Sequence, residues 1–250
     1  MKKKIILSWS GGKDSAWALH LLRSSPAFAE YEVAALVTTL NERFRRVAIH
    51  GFREALLDRQ AALAGLPLWK VDLPFPCTND IYEDRMAAIY ARAVAEGVHG
   101  VAFGDLFLEE IRAYRLRTLA PSGLEPLFPV WGIPTDQLAA QMIAGGLKAR
   151  ITCLDPTKLP ADFAGREWNA QLLTELPATV DPAAKTASST PSPVPGQCSR
   201  GKSPSNAATS SIATASSTQK CWNQSQHLRR KLAQLNRSYA ASSSCSATDA

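Results

Sequence analysis

Ser10-Gly11-Gly12-Lys13-Asp14-Ser15, or SGGKDS, packs phosphate-binding chemistry into six residues. Paired glycines let a backbone curl until successive N–H groups converge on an anion. Ser10 and Ser15 bring hydroxyl donors, and Lys13 brings a full positive charge. Asp14 is the odd member, because a carboxylate repels phosphate; its presence makes sense if it holds a Mg2+ ion that the phosphates also bind. The G-x-x-x-x-G-K-[ST] spacing of a Walker loop is absent. A plain strand-to-helix turn, with glycine for geometry and Asp or Ser as a cap, would use the same residue types.

Context separates the two readings. The apolar run 4–8 (KIILS) comes directly before the loop, and Ala16, Trp17, Leu19, Leu21 and Leu22 follow at helical spacing. The loop therefore lies between a strand's carboxyl end and a helix's positive end, where anions bind. Residues 32–40, 66–73 and 100–106 read as further strands, and 52–64, 81–95, 109–119 and 137–144 as helices, with ARITCLD (149–155) a last strand. Gly65 and Gly97 mark two helix stops. Strands alternating with helices predict an α/β fold, a Rossmann-like parallel sheet flanked by helices. Such sheets bind ligands at the carboxyl ends of their strands, near a switch in strand order. The expected organisation is a nucleotide-binding domain over 1–124, a smaller C-terminal α/β part of the same unit over 125–182, and a low-complexity, disordered tail over 183–250.

The formal charge of +6 belongs to that tail. Eight of the 28 Lys and Arg and one of the 22 acids fall beyond residue 182, leaving 20 bases and 21 acids upstream, a net charge of −1. A near-neutral body argues against nucleic acid as partner, since RNA binding calls for a basic stripe. Only Cys77 and Cys153 lie in the body, without a C-x-x-C pair, so buried thiols rather than a zinc site or disulfide are expected. The apolar run after "MKKK" is too short for a secretory signal, and no stretch reaches the length of a membrane span. A reduced, cytoplasmic enzyme is the expectation.

SGGKDS after a first strand resembles the PP-loop of the ATP pyrophosphatase superfamily. Three more segments narrow the resemblance: IHGFREALLDRQAALAGLPL (49–68), FGDLFLEEIRAYRLRTL (103–119) and PLFPVWGIPTDQLAAQMIAGGLKARITCLDP (126–156) are similar to the diphthine–ammonia ligase family, and LPADFAGREWNAQLLTELPATVDP (159–182) continues the match. The resemblance implies ATP as cosubstrate with Mg2+. A carboxylate is adenylated as pyrophosphate leaves, and ammonia then displaces AMP. Diphthine on elongation factor 2 is the carboxylate that the family name implies. No glutaminase-like segment is visible, which points to free ammonia as nitrogen donor.

Residues outside the loop carry chemistry as well. Asp105 follows the fourth strand at its carboxyl end, and Arg112 suits an anionic substrate or a phosphate. With Lys13, these two are the expected catalytic residues. Glu109 and Arg115 belong to the same segment, where a surface ion-pair ladder explains them as well as function does. His50 and Arg53 are candidates for contacting nucleotide, whereas Glu83 and Asp84 suit a helix surface. Two other classes of function remain open: a PP-loop enzyme modifying tRNA, and a nucleotide-binding protein without turnover.

Val180–Gly196, VDPAAKTASSTPSPVPG, is where the pattern breaks. Relatives by resemblance continue after VDP with a segment like C-G-E-N-G-E-F-H-T-F, then G-P-x-F and R-D-G-F, and none appears here. Yet AAKTASSTPS (183–192) can be encoded so that reading from the third base yields G-E-N-G-E-F-H-T-F. The same shift turns 190–199 into T-F-A-R-A-G-P-M-F and 208–219 into D-V-V-D-R-D-G-F-V-Y-A. Three separated agreements in one frame point to one nucleotide missing near the codon for Pro182. The alternative is a genuine tail, disordered because it has little to bury.

Overall fold

A computed structural model describes residues 1–47, 53–183 and 187–191. Its elements in chain order are β1 (Lys3–Ser8), α1 (Lys13–Ser24), β2 (Tyr31–Asn41), β3 (Arg46–Val47), α2 (Glu54–Ala64), β4 (Leu68–Leu73), α3 (Asn79–Ala95), β5 (Gly100–Ala102), α4 (Glu109–Leu119), β6 (Glu125–Leu127), α5 (Thr135–Ala144), β7 (Ala149–Leu154), β8 (Glu167–Trp168), α6 (Ala170–Glu175) and β9 (Ala187–Pro191). The parallel strands run β4-β2-β1-β5-β6, and β3 adds a short antiparallel pairing at the end of β2. The chain is α/β, as the strand–helix alternation predicts.

Burial on both sheet faces explains the apolar runs. Ile5, Ile6 and Leu7 of β1 are all fully buried. Ile5 and Leu7 point into a cluster with Trp17, Leu19 and Leu22 of α1, Leu57 of α2 and Leu138 of α5. Ile6 points the other way, among Met86, Tyr90 and Ala93 of α3 and Leu119 of α4. A strand covered on both sides loses the apolar–polar alternation of a half-buried one. Gly65 ends α2 in the left-handed region (φ 65°), its N–H reaching the carbonyls of Ala61 and Ala62.

Most element ends lie within two residues of the sequence reading, and two places differ by more. The strand expected over 100–106 stops at Ala102. Gly104, just beyond it, lies so close to α1 that an added Cβ would stand 3.0 Å from the backbone nitrogen of Ser15, and the chain turns away from the sheet there. The second difference lies within the expected disordered tail. Residues 187–191 pair antiparallel with β7, forming with β8 a three-stranded sheet in the order β8-β7-β9. An edge of β7 offers unpaired backbone groups, and pairing them asks for backbone rather than for apolar side chains. Trp168, Ile151 and Phe163 of this C-terminal region share the buried cluster of α1. Among the described residues, no helix is long and apolar enough to cross a membrane.

Candidate nucleotide site

SGGKDS lies at the carboxyl end of β1 and opens α1. Strand order reverses at β1, because β2 pairs on one side of it and β5 on the other. The turns after β1 and β5 therefore adjoin, and such a switch point is where open α/β sheets bind ligands. Gly104 makes the approach possible: its missing Cβ would meet Asp14 and Ser15 backbone atoms at 3.0–3.1 Å.

Within the loop, Gly11 adopts φ 71°, a conformation suited to glycine. Gly12 is the N-cap of α1, and no side chain caps the helix. The Ser10 hydroxyl accepts from the Gly12 N–H at 3.3 Å and stands 3.2 Å from the Ser15 hydroxyl, which donates to the Gly12 carbonyl at 2.9 Å. Gln60 of α2 braces the turn from outside. Its amide donates to the Gly11 carbonyl at 3.3 Å, and its Oε1 accepts from the Trp9 indole at 3.2 Å. Lys13 is 3% exposed; its Nζ lies 2.6 Å from Asp14 Oδ1 and 5.8 Å from the centroid of the Trp168 ring.

The loop fits an anion. Its helix end is uncapped, its hydroxyls face one another, and glycine removes the Cβ where the two turns meet. Asp14, with a partly exposed carboxylate, is the group beside it that suits Mg2+. No cluster of three or more metal-ligating side chains occurs among the described residues.

Asp105 follows Gly104 and accepts from Arg115 Nε at 3.3 Å, while Arg115 also donates to the Tyr82 hydroxyl at 3.2 Å and lies over the Phe103 ring. Arg115 thus belongs to a partly buried Asp–Arg–Tyr chain instead of a surface ladder. Burial works against its charge, but Tyr82 and Asp105 outweigh that, and its pKa lies above the ordinary value. The Arg112 guanidinium lies over two aromatic rings, 5.3 Å from the Phe128 centroid and 4.9 Å from that of Trp131. Its Nε is buried without a hydrogen-bond partner, and it forms no ion pair among the described residues.

Glu109 is exposed, and so is Arg53, the N-cap of α2. His50 lies outside the described residues. Glu83 is half-buried and Asp84 exposed on α3, as a helix surface predicts for the latter. Cys77 is only half-buried, at the turn before α3, rather than a core thiol. Three residues near the loop escaped the sequence reading: Gln60, Trp168 and Thr38. Thr38 lies one residue past the Ser8–Val37 pair, is 2% exposed, and its hydroxyl has no hydrogen-bond partner among the described residues. A Thr38-Thr39 pair near the carboxyl end of an apolar strand was the available signal for it.

No curated protein compared with the chain matches it. A family model does: that of the diphthamide synthase N-terminal domain, over residues 2–125, which include the loop, Asp105 and Arg112. Through that domain, the chain belongs to the diphthine–ammonia ligase family.

Proposed function

We propose that the chain is an ATP-dependent carboxylate–ammonia ligase acting on diphthine carried by elongation factor 2. The observation carrying this reading is the apposition of SGGKDS and the Gly104–Asp105 turn at the switch point of the sheet. In this reading the N-terminal end of α1, Ser10, Ser15 and Lys13 hold the β- and γ-phosphates. Asp14 would hold Mg2+, whose charge helps to neutralise the departing pyrophosphate. Arg112, a cation without a carboxylate partner among the described residues, receives the acceptor carboxylate. The aromatic rings of Phe128 and Trp131, 5.3 and 4.9 Å from the guanidinium, hold it in place. In the same reading Asp105, held by Arg115 at 3.3 Å, orients the incoming ammonia.

The chemistry balances with these parts. A carboxylate oxygen attacks the α-phosphorus, the bond to the bridging oxygen breaks, and pyrophosphate leaves. Ammonia attacks the acyl carbon, loses a proton and expels AMP. Both steps depend on alignment and charge neutralisation, and neither asks for a covalent nucleophile on the protein. Phe107 and Leu108, exposed in the turn after β5, suit a substrate presented on a macromolecule.

The test is nucleotide analysis after incubation with ATP, Mg2+, ammonium and diphthine-bearing elongation factor 2. AMP and pyrophosphate should accumulate over many turnovers only when ammonium and the acceptor are both present; with the acceptor alone, pyrophosphate should stop at about one equivalent of enzyme. Lys13→Ala should lower the rate by about 100-fold or more, in line with loss of an electrostatic stabiliser. Formation of ADP and phosphate, or turnover indifferent to ammonium, would sink the assignment.

A further inference from the structure

Trp168 comes from a strand distant in sequence, yet it forms the wall behind the phosphate-loop lysine. Its ring is 1% exposed, and the Lys13 ammonium lies 5.8 Å from its centroid. Its indole N–H donates to the Pro182 carbonyl at 3.3 Å, so the ring is held in its plane from the far side. The Ala183 N–H donates in turn to Asp181 at 2.8 Å, which pins the segment supplying that carbonyl. A lysine stem has four rotatable carbons and no preferred direction of its own. Here one end of the ammonium faces Asp14 and the other an aromatic face, which leaves it little freedom.

We propose that Trp168 is the positioning residue for Lys13, and that residues 181–183 anchor it. This rests on the reading of SGGKDS as the ATP phosphate site. A Trp filling a core could be exchanged for another large apolar side chain at the expense of stability alone. A Trp that holds an ammonium by its π face affects phosphate binding only through that ammonium, so its effect must vanish when Lys13 is gone.

The experiment is a double-mutant cycle on the full chain, with Mg2+–ATP affinity read by calorimetry and thermal melts run alongside. Trp168→Leu should weaken ATP binding about fivefold to tenfold, the range of a desolvated cation–π contact. Trp168→Phe, which keeps a π face, should recover most of that loss. In the Lys13→Ala background, Trp168→Leu should weaken ATP no further, the non-additivity expected of groups acting as a pair. A second readout needs no Trp168 variant. The Lys13 Cε protons should show a ring-current shift that changes when ATP is added. Additive losses in the cycle, equal losses for Leu and Phe, or no ring-current shift would overturn the proposal. A wild-type chain that binds no ATP would instead remove the phosphate-site reading itself.

Discussion

A carboxylate beside the lysine of a phosphate loop works against anion binding unless something neutralises it. In this loop Lys13 does so at 2.6 Å, which also means that the lysine's charge is partly spoken for until a ligand arrives. Two effects then compete in Asp14→Asn. Removing the negative charge should favour bare ATP, because Lys13 is released and repulsion falls. Removing the Mg2+ ligand should disfavour the metal complex. The expected outcome is a reversal: tighter ATP binding without Mg2+, weaker binding with it, each by roughly 5-fold to 50-fold for a change of one charge near the phosphates. ATP titrations with and without Mg2+ check this, and tighter binding in both would assign Asp14 no metal. Lys13 and Asp14 were legible from residue type and spacing. Gln60 and Trp168 were not, because each reaches the loop through tertiary packing that no local pattern encodes.

Among the elements, the middle of the sheet was readable because β1 and β5 are buried on both faces and appear as apolar runs, while β4 shows the apolar–polar alternation of a half-buried strand. β3 escaped notice, having only two residues. The ends of elements were harder: β5 stops early because the turn after it must press against α1. The turn from β2 into β3 is tied down electrostatically. Arg45, at φ 48°, donates to Glu54 at 2.6 and 2.8 Å, and Lys70 of β4 donates to the same carboxylate at 2.9 Å. Lys70, and then Arg45, hold the Glu54 carboxyl below the ordinary carboxylate range. A depressed pKa stabilises the fold above the unfolded value of about 4.3, and the contribution is lost as pH falls through the lower folded value. Glu54→Gln should therefore melt below wild type at pH 7, with the gap closing as the solution becomes more acidic than that range. Melting curves from pH 7 downward measure it; a gap that stays constant with pH would mean the network acts by packing alone.

For the whole molecule, the question is what the chain beyond Pro182 contributes. One buried cluster runs from β1 and α1 to Trp168, Val180 and Ala183, so the C-terminal region shares a core with the helix that opens at the loop. β9 lies beside β7 and next to α1, and it falls where the shifted frame would read E-F-H-T-F. Phenylalanine and threonine favour strands, and a glutamate and a histidine there would add chemistry-bearing groups to a strand that contacts α1. The present Ala187-Ser188-Ser189-Thr190-Pro191 offers neither bulk nor charge. We infer that inserting one nucleotide near the codon for Pro182 restores both packing and turnover. The restored chain should melt higher, by roughly 2–4 °C for each kcal/mol of added packing. It should also form AMP and pyrophosphate at least about 10-fold faster, as expected when groups that orient reactants are regained. The two readouts divide the explanations. A higher melting point without faster turnover would make the lost segment structural, and faster turnover at an unchanged melting point would place its acid or histidine in the reaction. No change in either would mean that the Ser- and Thr-rich sequence is this protein's own, and that the body alone performs whatever the site performs.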